Sequence, residues 1–382
     1  MSRAESGKLA VLLPGMGAVA TTMIAGVSLV KRDLGVPVGS LTQLASLRLG
    51  RDRDARVPVR EALPLAPLDR LEIGGWDIFP DDAYAAAKHA GVLNAEHLEA
   101  VKAELQAIQP MPGVFFPEYV RRLNGTHVKR GKTKRDLVEQ LRDDIRTFVR
   151  DRGCARAVAV WCASTEVYTE PQAVHASLRA FEQGLERSDP AITSSQLYAW
   201  ALLSEGIPFA NGSPNLAFDF PAALELARER RVPLAGKDFK TGQTLLKTVL
   251  APALHSRALG VRGWYSTNLL GNRDGEVLDD ADSARAKVAS KLGVLESIFG
   301  SDPRLYGELV HKVRIEYFPP RGDDKAAWDH VDLFGWLGYP MQLKVDFLCK
   351  DSILAAPLVL DLALLLDVAQ RAGLHGPLEW LG

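Results

Sequence analysis

The stretch Lys8–Leu29 reads KLAVLLPGMGAVATTMIAGVSL and decides the fold class. Lys8–Leu13 is a short apolar run typical of a buried strand, and Thr21–Leu29 continues as an apolar helix. Between them, Gly15–Ala20 forms a G-x-G-x-x-A turn, whose glycines let the backbone approach a pyrophosphate while Ala20 allows close packing of helix on strand. Strand, glycine turn and helix in this order predict an α/β protein with a Rossmann-type, doubly wound dinucleotide-binding domain.

The residues that would choose between NAD and NADP point both ways. A second strand is predicted near Val36–Leu41, and Arg48, Arg51 and Arg53 follow it. Arginines in this position suggest a 2′-phosphate and hence NADP, whereas an acidic residue there would bind the ribose of NAD. The acidic candidates are Asp52, Asp54 and Asp77.

A second apolar run predicts another part of the same site. Ala155–Cys162 is continuous and apolar, which is typical of a central parallel strand, and it ends in Ala163–Glu166. Pro208–Asn215 looks like another strand end followed by a polar loop. Small polar residues at the carboxyl ends of such strands lie where doubly wound folds bind ligands, although ordinary loop chemistry would give the same pattern.

The character of the chain changes from Val261 onward. Val261–Asn268 and Val310–Phe318 alternate apolar and polar residues like strands, and a charged helix, Ser283–Phe299, lies between them. This pattern predicts an α+β unit with a sheet of its own. We therefore expect residues 1–240, completed by 345–382, to form the NAD-binding Rossmann-type domain, and residues 241–344 to form an α+β catalytic and oligomerisation domain.

The segment Gly236–Lys247, GKDFKTGQTLLK, has the features of a phosphate-binding turn. Thr241–Thr244 is small and polar, and an apolar helix follows it. A helix N-terminus offers free N–H groups and a partial positive charge, so it binds phosphate readily. Lys240 precedes the turn and Lys247 lies two turns into the helix. An ordinary loop with an N-cap is the alternative.

Composition restricts the partners. The 382 residues carry a formal net charge of −1, which implies no nucleic-acid partner. Two apolar runs, one near each end of the chain, contain prolines, glycines or aspartates, among them Pro14, Pro357 and Asp361. Both runs therefore predict globular segments rather than membrane spans. Three cysteines, Cys154, Cys162 and Cys349, lack disulfide or metal spacing, which suits the cytoplasm.

Nine blocks of the sequence, taken together, carry a family resemblance. They are GMGAVA (Gly15–Ala20), GGWDIFPDDAY (Gly74–Tyr84), NGTHVKRG (Asn124–Gly131), NGSPN (Asn211–Asn215), GKDFKTGQT (Gly236–Thr244), STNLLGNRDG (Ser266–Gly275), AKVASK (Ala286–Lys291), GDDK (Gly322–Lys325) and DSILAAPLVLDL (Asp351–Leu362). In this order and spacing, over nearly the whole chain, the sequence resembles the myo-inositol-1-phosphate synthases, also called inositol-3-phosphate synthases.

The resemblance implies an isomerase of the intramolecular lyase type that holds NAD tightly and recycles it. Glucose 6-phosphate is oxidised at carbon 5, the enolate then attacks the carbon 1 aldehyde, and reduction of the carbon 5 ketone gives inositol 1(3)-phosphate. The resemblance also implies a homotetramer, and it leaves a divalent or monovalent cation open.

The resemblance assigns roles to individual residues. Lys287 is expected to serve the carbon 5 hydroxyl proton, Lys291 to hold the phosphate and oxyanion side, and Lys325 to stabilise developing charge. Asp238 and Asp351 would orient lysines and sugar hydroxyls. The other implied residues are Thr241, Gly242, Gln243, Thr244, Lys240, Asn268 and Asn272 on the substrate side, and Gly15, Gly17, Ala18, Val19, Asp77, Ser164, Thr165 and Asp274 on the cofactor side.

The sequence departs from the family pattern at one position. Members usually carry a fourth active-site lysine after an aromatic segment near the C-terminus, and this chain reads Leu378–Gly382 there. Lys240 or Lys344 could compensate. Two alternatives therefore stay open. One is a relative that closes another carbocycle, for example a five-membered one, from a hexose phosphate such as fructose 6-phosphate. The other is a catalytically silent protein that binds NAD or sugar phosphate.

Overall fold

The first strand and helix follow the apolar pattern of the sequence. In the computed structural model, which describes residues 7–51, 55–300 and 302–381, strand β1 (Lys8–Pro14) is buried along nearly its whole length and helix α1 (Ala18–Lys31) begins directly after Gly17. Gly15 has a φ of +90°, and a Cβ atom at this position would lie 2.4 Å from the backbone of Ala163. Only glycine therefore fits this turn without strain.

The remaining strands and helices have the following bounds. The other strands are β2 (Ser46–Arg48), β3 (Arg56–Pro58), β4 (Leu71–Asp77), β5 (Met111–Pro112), β6 (Cys154–Trp161), β7 (Phe209–Asn211), β8 (Pro233–Gly236), β9 (Gly260–Leu270), β10 (Val310–Tyr317), β11 (Asp324–Phe334), β12 (Pro340–Lys350) and β13 (Gly376–Pro377). The other helices are α2 (Leu41–Leu44), α3 (Val59–Ala62), α4 (Ala83–Ala90), α5 (Ala95–Ala100), α6 (Lys102–Gln106), α7 (Lys134–Asp151), α8 (Leu178–Glu186), α9 (Ser194–Ser204), α10 (Pro221–Glu229), α11 (Gly242–Ser256), α12 (Arg273–Leu278), α13 (Ala281–Phe299), α14 (Pro303–Tyr306) and α15 (Asp351–Arg371).

The larger sheet has the strand order of a doubly wound fold. Its seven strands run in the order β13-β8-β7-β6-β1-β4-β5, and every pair in it is parallel. The chain reverses its winding between β1 and β6. In such sheets the crevice at this switch point, outside the carboxyl ends of the strands, is where ligands bind. The predicted Rossmann-type fold is confirmed.

The smaller sheet is mixed and has four strands in the order β10-β9-β11-β12. β9 and β10 are parallel, whereas β11 is antiparallel to both of its neighbours. Trp264 and Val331 on this sheet pack with Leu295 and Phe299 of α13 in one core. This sheet matches the predicted α+β unit, while the division of the chain into two domains stays a prediction. The predicted boundary after residue 344 falls inside β12, whose pairing with β11 continues to Lys350.

The prediction of a strand near Val36–Leu41 is wrong. The residues of Val36–Leu41 form turns that lead into α2, because Ser40 caps that short helix by accepting a hydrogen bond from the Gln43 N–H at 3.3 Å. The second parallel strand of the sheet is β4, which pairs with β1 from Leu71 to Trp76. The alternation of Gly35, Pro37 and Gly39 with valines imitates a strand but offers the sheet few side chains to pack.

The long apolar helix near the C-terminus belongs to the core. α15 is long and apolar enough by composition to cross a membrane, but 67% of its most apolar window is buried inside the fold. Its Asp361 accepts hydrogen bonds from the N–H groups of Leu41 and Thr42 and from the Ser40 hydroxyl. The prediction of a buried globular helix is confirmed.

Candidate active site

A cavity of 530 Å³ lies at the switch point, at the carboxyl ends of β1 and β6. The eight residues expected on the cofactor side all line it: Gly15, Gly17, Ala18, Val19, Asp77, Ser164, Thr165 and Asp274. These residues come from four parts of the fold. The glycine turn follows β1, Asp77 ends β4, Ser164 and Thr165 follow β6, and Asp274 lies on α12.

The start of α1 suits a pyrophosphate. Gly17 occupies the N-cap position, and among the described residues no side chain caps the first N–H groups of the helix. No described atom lies within 4 Å of where a Cβ of Gly17 would be, so the backbone is open to the cavity. Free N–H groups and the helix dipole together favour a bound anion. The residues present therefore fit a dinucleotide.

Asp77, and not an arginine, is the charged residue at the end of the neighbouring strand. Its carboxylate accepts hydrogen bonds from the Met16 N–H at 2.6 Å and the Phe79 N–H at 3.0 Å, and burial raises its pKa. Arg48 lies on the separate β2–β3 hairpin and Arg51 is exposed. The other residues named for this choice, Asp52, Arg53 and Asp54, lie outside the described residues.

The predicted phosphate-binding turn is the N-terminus of α11. Thr241 is its N-cap residue, but its hydroxyl donates to the Asp351 carboxylate at 2.7 Å, and no described side chain caps the helix. The Thr244 N–H donates to the Thr241 carbonyl at 3.0 Å, so the N–H groups of Gly242 and Gln243 are the ones that remain for an anion. The Lys325 ammonium lies 3.5 Å from where a Cβ of Gly242 would be. A cation thus stands directly beside this helix start.

The predicted substrate-side amides make hydrogen bonds within the protein, but the buried Oδ1 of Asn268 has no partner among the described residues. Asn268 donates to the Gln243 side chain, whose own amide donates to the Thr267 carbonyl at 2.9 Å. Asn272 caps α12 through the Gly275 N–H at 3.0 Å and donates to Asp323 at 3.1 Å. These side chains fix the positions of α11 and α12. What Gln243 can offer a phosphate is its backbone N–H.

Lys287 and Asp238 form a buried ion pair at 2.8 Å. Asp238 follows β8 with a φ of +63° and also accepts from the Ser290 hydroxyl at 2.9 Å. Burial opposes the charge on the lysine, but the nearby carboxylates of Asp238 and Asp274 raise the pKa of Lys287 well above its usual range. Burial likewise opposes the charge on Asp238, and the adjacent lysines still lower its pKa.

Lys325 and Asp351 form a second buried pair, also at 2.8 Å. Asp351 opens α15, where the helix dipole favours a negative charge. Burial opposes this charge, but Lys325 and the Thr241 hydroxyl hold the pKa of Asp351 far below its usual range. The cation beside the phosphate turn is therefore itself fixed by a permanently charged partner.

Lys291 differs from its neighbours. It is 3% exposed and donates to the Thr244 hydroxyl at 3.3 Å. Burial, followed by the charge of Lys325, lowers the pKa of Lys291 to about 7. The two lysines of one helix face, Lys287 and Lys291, thus have opposite character: the first keeps its proton and the second can release it near neutral pH.

Two lysines of the sequence prediction lie elsewhere. The Lys240 ammonium donates to the carbonyls of Lys237 at 2.6 Å and Asp238 at 3.0 Å, so it holds its own loop instead of reaching the turn. Lys344 is exposed in the middle of β12. Among the residues that the structure describes, no group of three or more His, Cys, Asp or Glu side chains could hold a metal ion.

The structure adds residues that sequence reasoning missed. Asp323 accepts hydrogen bonds from the Ser352 N–H at 3.2 Å and hydroxyl at 2.8 Å, which fixes the start of α15. Ser290 supports Asp238, as described above. The first aspartate of the GDDK block and the serine between the paired lysines were the available signals. Nothing in the sequence singled out His311, which contacts Lys247 across the smaller sheet.

The chain is similar to known proteins along most of its length. Inositol-3-phosphate synthase 1 of Bacteroides thetaiotaomicron is 51% identical over 380 residues, which cover 98% of this chain and 88% of the bacterial one. The human protein of the same name is 37% identical over 347 residues, covering 87% of this chain and 61% of the human one. The crystal structure of inositol-3-phosphate synthase from Caenorhabditis elegans matches with a TM-score of 0.90 at 29% identity, over 96% of this chain and 76% of the nematode one.

Fold and site define a dinucleotide-binding enzyme of the Rossmann type with a buried lysine cluster beside its cofactor cavity. The NAD-binding family model described as myo-inositol-1-phosphate synthase matches residues 9–380. The chain belongs to the myo-inositol-1-phosphate synthase family. The family resemblance seen in the sequence is confirmed, and so is NAD as the cofactor.

Proposed function

We propose that the protein catalyses the NAD-dependent cyclisation of glucose 6-phosphate to inositol 1(3)-phosphate, as an isomerase of the intramolecular lyase type. The observation that carries this function is that one cavity joins the two sites, because Thr241, Lys287 and Asp351 line the same cavity as the glycine turn. A sugar anchored by its phosphate at α11 would lie against the cofactor. The names of the relatives favour this function over both alternatives.

The chain's own groups are suited to bind the phosphate. The N–H groups of Gly242 and Gln243 lie at the start of α11, and the Lys325 ammonium stands beside Gly242. A phosphate there gains charge-assisted hydrogen bonds and the favourable end of the helix dipole. Since Lys325 is already held by Asp351 at 2.8 Å, little side-chain entropy is lost when the phosphate binds.

The charge states of the lysines assign the proton transfer. The chemistry that NAD supplies when bound is removal of a hydride from carbon 5 and its later return. Lys291 donates to Thr244 in the first turn of α11 and lies one turn along α13 from Lys287, which lines the cavity. With a pKa lowered to about 7, Lys291 is suited to accept the hydroxyl proton at that step. Lys287 keeps its proton because nearby carboxylates raise its pKa, and with Lys325, which is paired with Asp351, it can stabilise the oxyanions of the enolate and the aldol step. This assignment exchanges the roles that the resemblance implied for Lys287 and Lys291.

The reaction can be tested directly. The purified protein is incubated with glucose 6-phosphate and, separately, with fructose 6-phosphate, and the products are identified by ³¹P and ¹³C NMR. Inositol phosphate from glucose 6-phosphate alone supports the proposal. A carbocycle from fructose 6-phosphate would instead support the divergent relative. Turnover of neither sugar by protein that retains NAD would leave the silent binding protein.

The lysine roles have a test of their own. We expect Lys291→Met and Lys287→Met each to lower turnover at least ~100-fold. Only Lys291→Met should remove the acid limb of the pH profile of kcat/KM, because Lys287 stays charged throughout that range. Lys312, exposed on β10, provides a control in Lys312→Met. If the acid limb persists in Lys291→Met, another residue accepts the proton.

We also infer a homotetramer in the cytoplasm. Trp336, Leu337 and Tyr339 at the tip of the β11–β12 hairpin are 87%, 79% and 70% exposed. Apolar exposure on this scale is typical of a surface that another subunit covers, and homo-oligomers close through two-fold axes. The cysteines are free, as expected in a reducing compartment.

A further inference from the structure

Lys247 is a fully buried lysine behind the phosphate turn. It lies on α11 with 0% exposure, and its ammonium is 2.8 Å from Nε2 of His311 on β10. The ammonium donates, so the imidazole must accept at Nε2 and carry its own proton on Nδ1. Within the described ranges, no carboxylate forms an ion pair with Lys247.

The surroundings of Lys247 do not explain it as a stabilising residue. Its nearest negative charge is Asp329, which is fully buried on β11 and raises the pKa of Lys247, though less than burial lowers it. One Asp329 oxygen accepts from Trp264 Nε1 at 2.7 Å and the Ser266 hydroxyl at 2.6 Å, and the other finds no partner within the described residues. A buried ammonium without a paired carboxylate costs stability. A buried charge that costs stability points to a role for Lys247 other than stabilising the fold.

Lys247 and His311 are each connected to Lys291 through one neighbouring residue. On α11, Thr244 lies one turn before Lys247 and accepts the hydrogen bond of the Lys291 ammonium at 3.3 Å. His311 hydrogen-bonds the backbone of Leu292, the residue after Lys291. The other charged groups that act on Lys291 are Lys325 on β11, Lys287 on its own helix, and Asp238 after β8.

We propose that Lys247, held in place by His311, is a positioning residue whose buried positive charge favours the proton-free form of Lys291 in the free enzyme. The inference rests on the proposed function in one respect, namely that Lys291 accepts the substrate proton. The repulsion between two ammonium groups in a low-dielectric interior is relieved when Lys291 gives up its proton. His311 serves as the neutral acceptor that lets Lys247 remain charged.

The protonation states of the three groups agree with this geometry. Burial lowers the pKa of Lys247 to about 8, so at pH 7 it is mostly charged. Burial and the neighbouring ammonium lower the pKa of His311 to about 3, so the imidazole stays neutral. Burial and Lys325 contribute more than Lys247 does to the low pKa of Lys291. Removal of Lys247 should therefore shift the behaviour of Lys291 without abolishing it.

The experiment compares the pH profiles of kcat/KM, which report groups of the free enzyme. In Lys247→Met we expect the acid limb to move upward by about 0.5–1 pH unit, which is a loss of about 3- to 8-fold at pH 6.5 and almost none at pH 9. Lys312→Met removes a positive charge one residue along β10 from His311, at an exposed position, and should leave the profile unchanged.

Variants of His311 separate positioning from simple packing. His311→Gln keeps an acceptor for the ammonium and should retain the normal profile. His311→Leu removes the acceptor, so it should reproduce the shift of Lys247→Met. Lys247→Met should keep or raise the melting temperature at pH 6.5, since a buried lysine with a lowered pKa destabilises the fold there. An equal loss of rate at every pH, together with a lower melting temperature, would make Lys247 a packing residue and overturn the proposal.

A measurement without turnover keeps the inference apart from the proposed reaction. In protein labelled with ¹³C at lysine Cε, the Lys291 signal is assigned by its loss in Lys291→Arg and then followed with pH. Its titration should move upward in Lys247→Met and stay in place in Lys312→Met. If the wild-type protein makes no inositol phosphate, the proposed reaction fails while this titration still decides the inference. An unmoved Lys291 titration in Lys247→Met would refute it.

Discussion

Asp238→Asn removes one negative charge from the buried lysine cluster and keeps the shape of the side chain. Asp238 has a φ of +63°, a conformation that asparagine tolerates well. Lys287 and Ser290 donate to different oxygens of the carboxylate, at 2.8 and 2.9 Å. In asparagine the amide oxygen can still accept from the Lys287 ammonium, and the NH2 group can donate to the Ser290 hydroxyl. The substitution therefore removes the charge with little change in side-chain shape. Breaking a buried ion pair on one side costs about 3–5 kcal/mol, and we expect a loss of about 3 kcal/mol in the free energy of unfolding at pH 7.

The pH dependence of this loss in the free energy of unfolding gives a more specific test. In the wild type, the raised pKa of Lys287 means that its contribution is fully present below pH 10.5 and is lost only as the pH rises through its folded-state pKa. Asp238 has a lowered pKa, so its contribution is present above pH 3.8 and is lost in acid. In Asp238→Asn the lysines lose their counter-charge and release protons more easily. The stability difference from wild type should therefore shrink to about half between pH 7 and pH 10.

Urea unfolding followed by circular dichroism, at one protein concentration and at both pH values, measures this difference. Asp219→Asn is the matched control, because Asp219 pairs with Lys237 at 3.3 Å with both side chains about 40% exposed. A surface pair of this kind contributes about 0–1 kcal/mol. Asp238→Ala should lose about 1 kcal/mol more than Asp238→Asn, from the left-handed backbone. A loss in Asp238→Asn no larger than in Asp219→Asn, or one that is the same at pH 7 and pH 10, would refute the reasoning.

The remaining predictions concern the cofactor, the turn and the assembly. Denaturation of the purified protein should release NAD(H), measured by enzymatic cycling, and release of NADP(H) would point back to Arg48 and Arg51. Gly15→Ala should reduce bound NAD(H) at least ~10-fold, because its Cβ would lie 2.4 Å from the Ala163 backbone; Gly26→Ala, with no described atom within 4 Å, is the control and should leave NAD(H) unchanged. Light scattering at micromolar concentration should give the mass of a tetramer, and a monomer would contradict the assembly.

The sequence predicted the parts of this protein that depend on neighbouring residues. The strand, glycine turn and helix at Lys8–Leu29 appear as β1 and α1 because a buried strand, a tight turn and an apolar helix each have a local signature. The start of α11 at Gly242 follows from the small polar residues before an apolar helix. The i, i+4 spacing places Lys287 and Lys291 on one face of α13.

The sequence was less reliable wherever the partner lies far along the chain. Val36–Leu41 has the local look of a strand, but the backbone groups beside β1 are satisfied by β4. Asn268 and Asn272 stay predicted substrate-side amides, and the structure adds the hydrogen bonds by which both also hold neighbouring helices and loops. The partners in those bonds lie far along the chain, so the local sequence does not identify them.

The protonation of the lysine cluster was decided by the tertiary structure alone. Lys287 and Lys291 are four residues apart on the same helix face, so no local pattern distinguishes them. Asp238, which lies 49 residues earlier in the chain, approaches only the first of them closely, and the burial of Lys291 beside Lys325 and Lys247 sets the second. Charge on a buried group depends on solvent exclusion and on distances across the fold. The sequence supplies the lysines, and the packing of α11, α13 and the smaller sheet determines which of them can accept a proton.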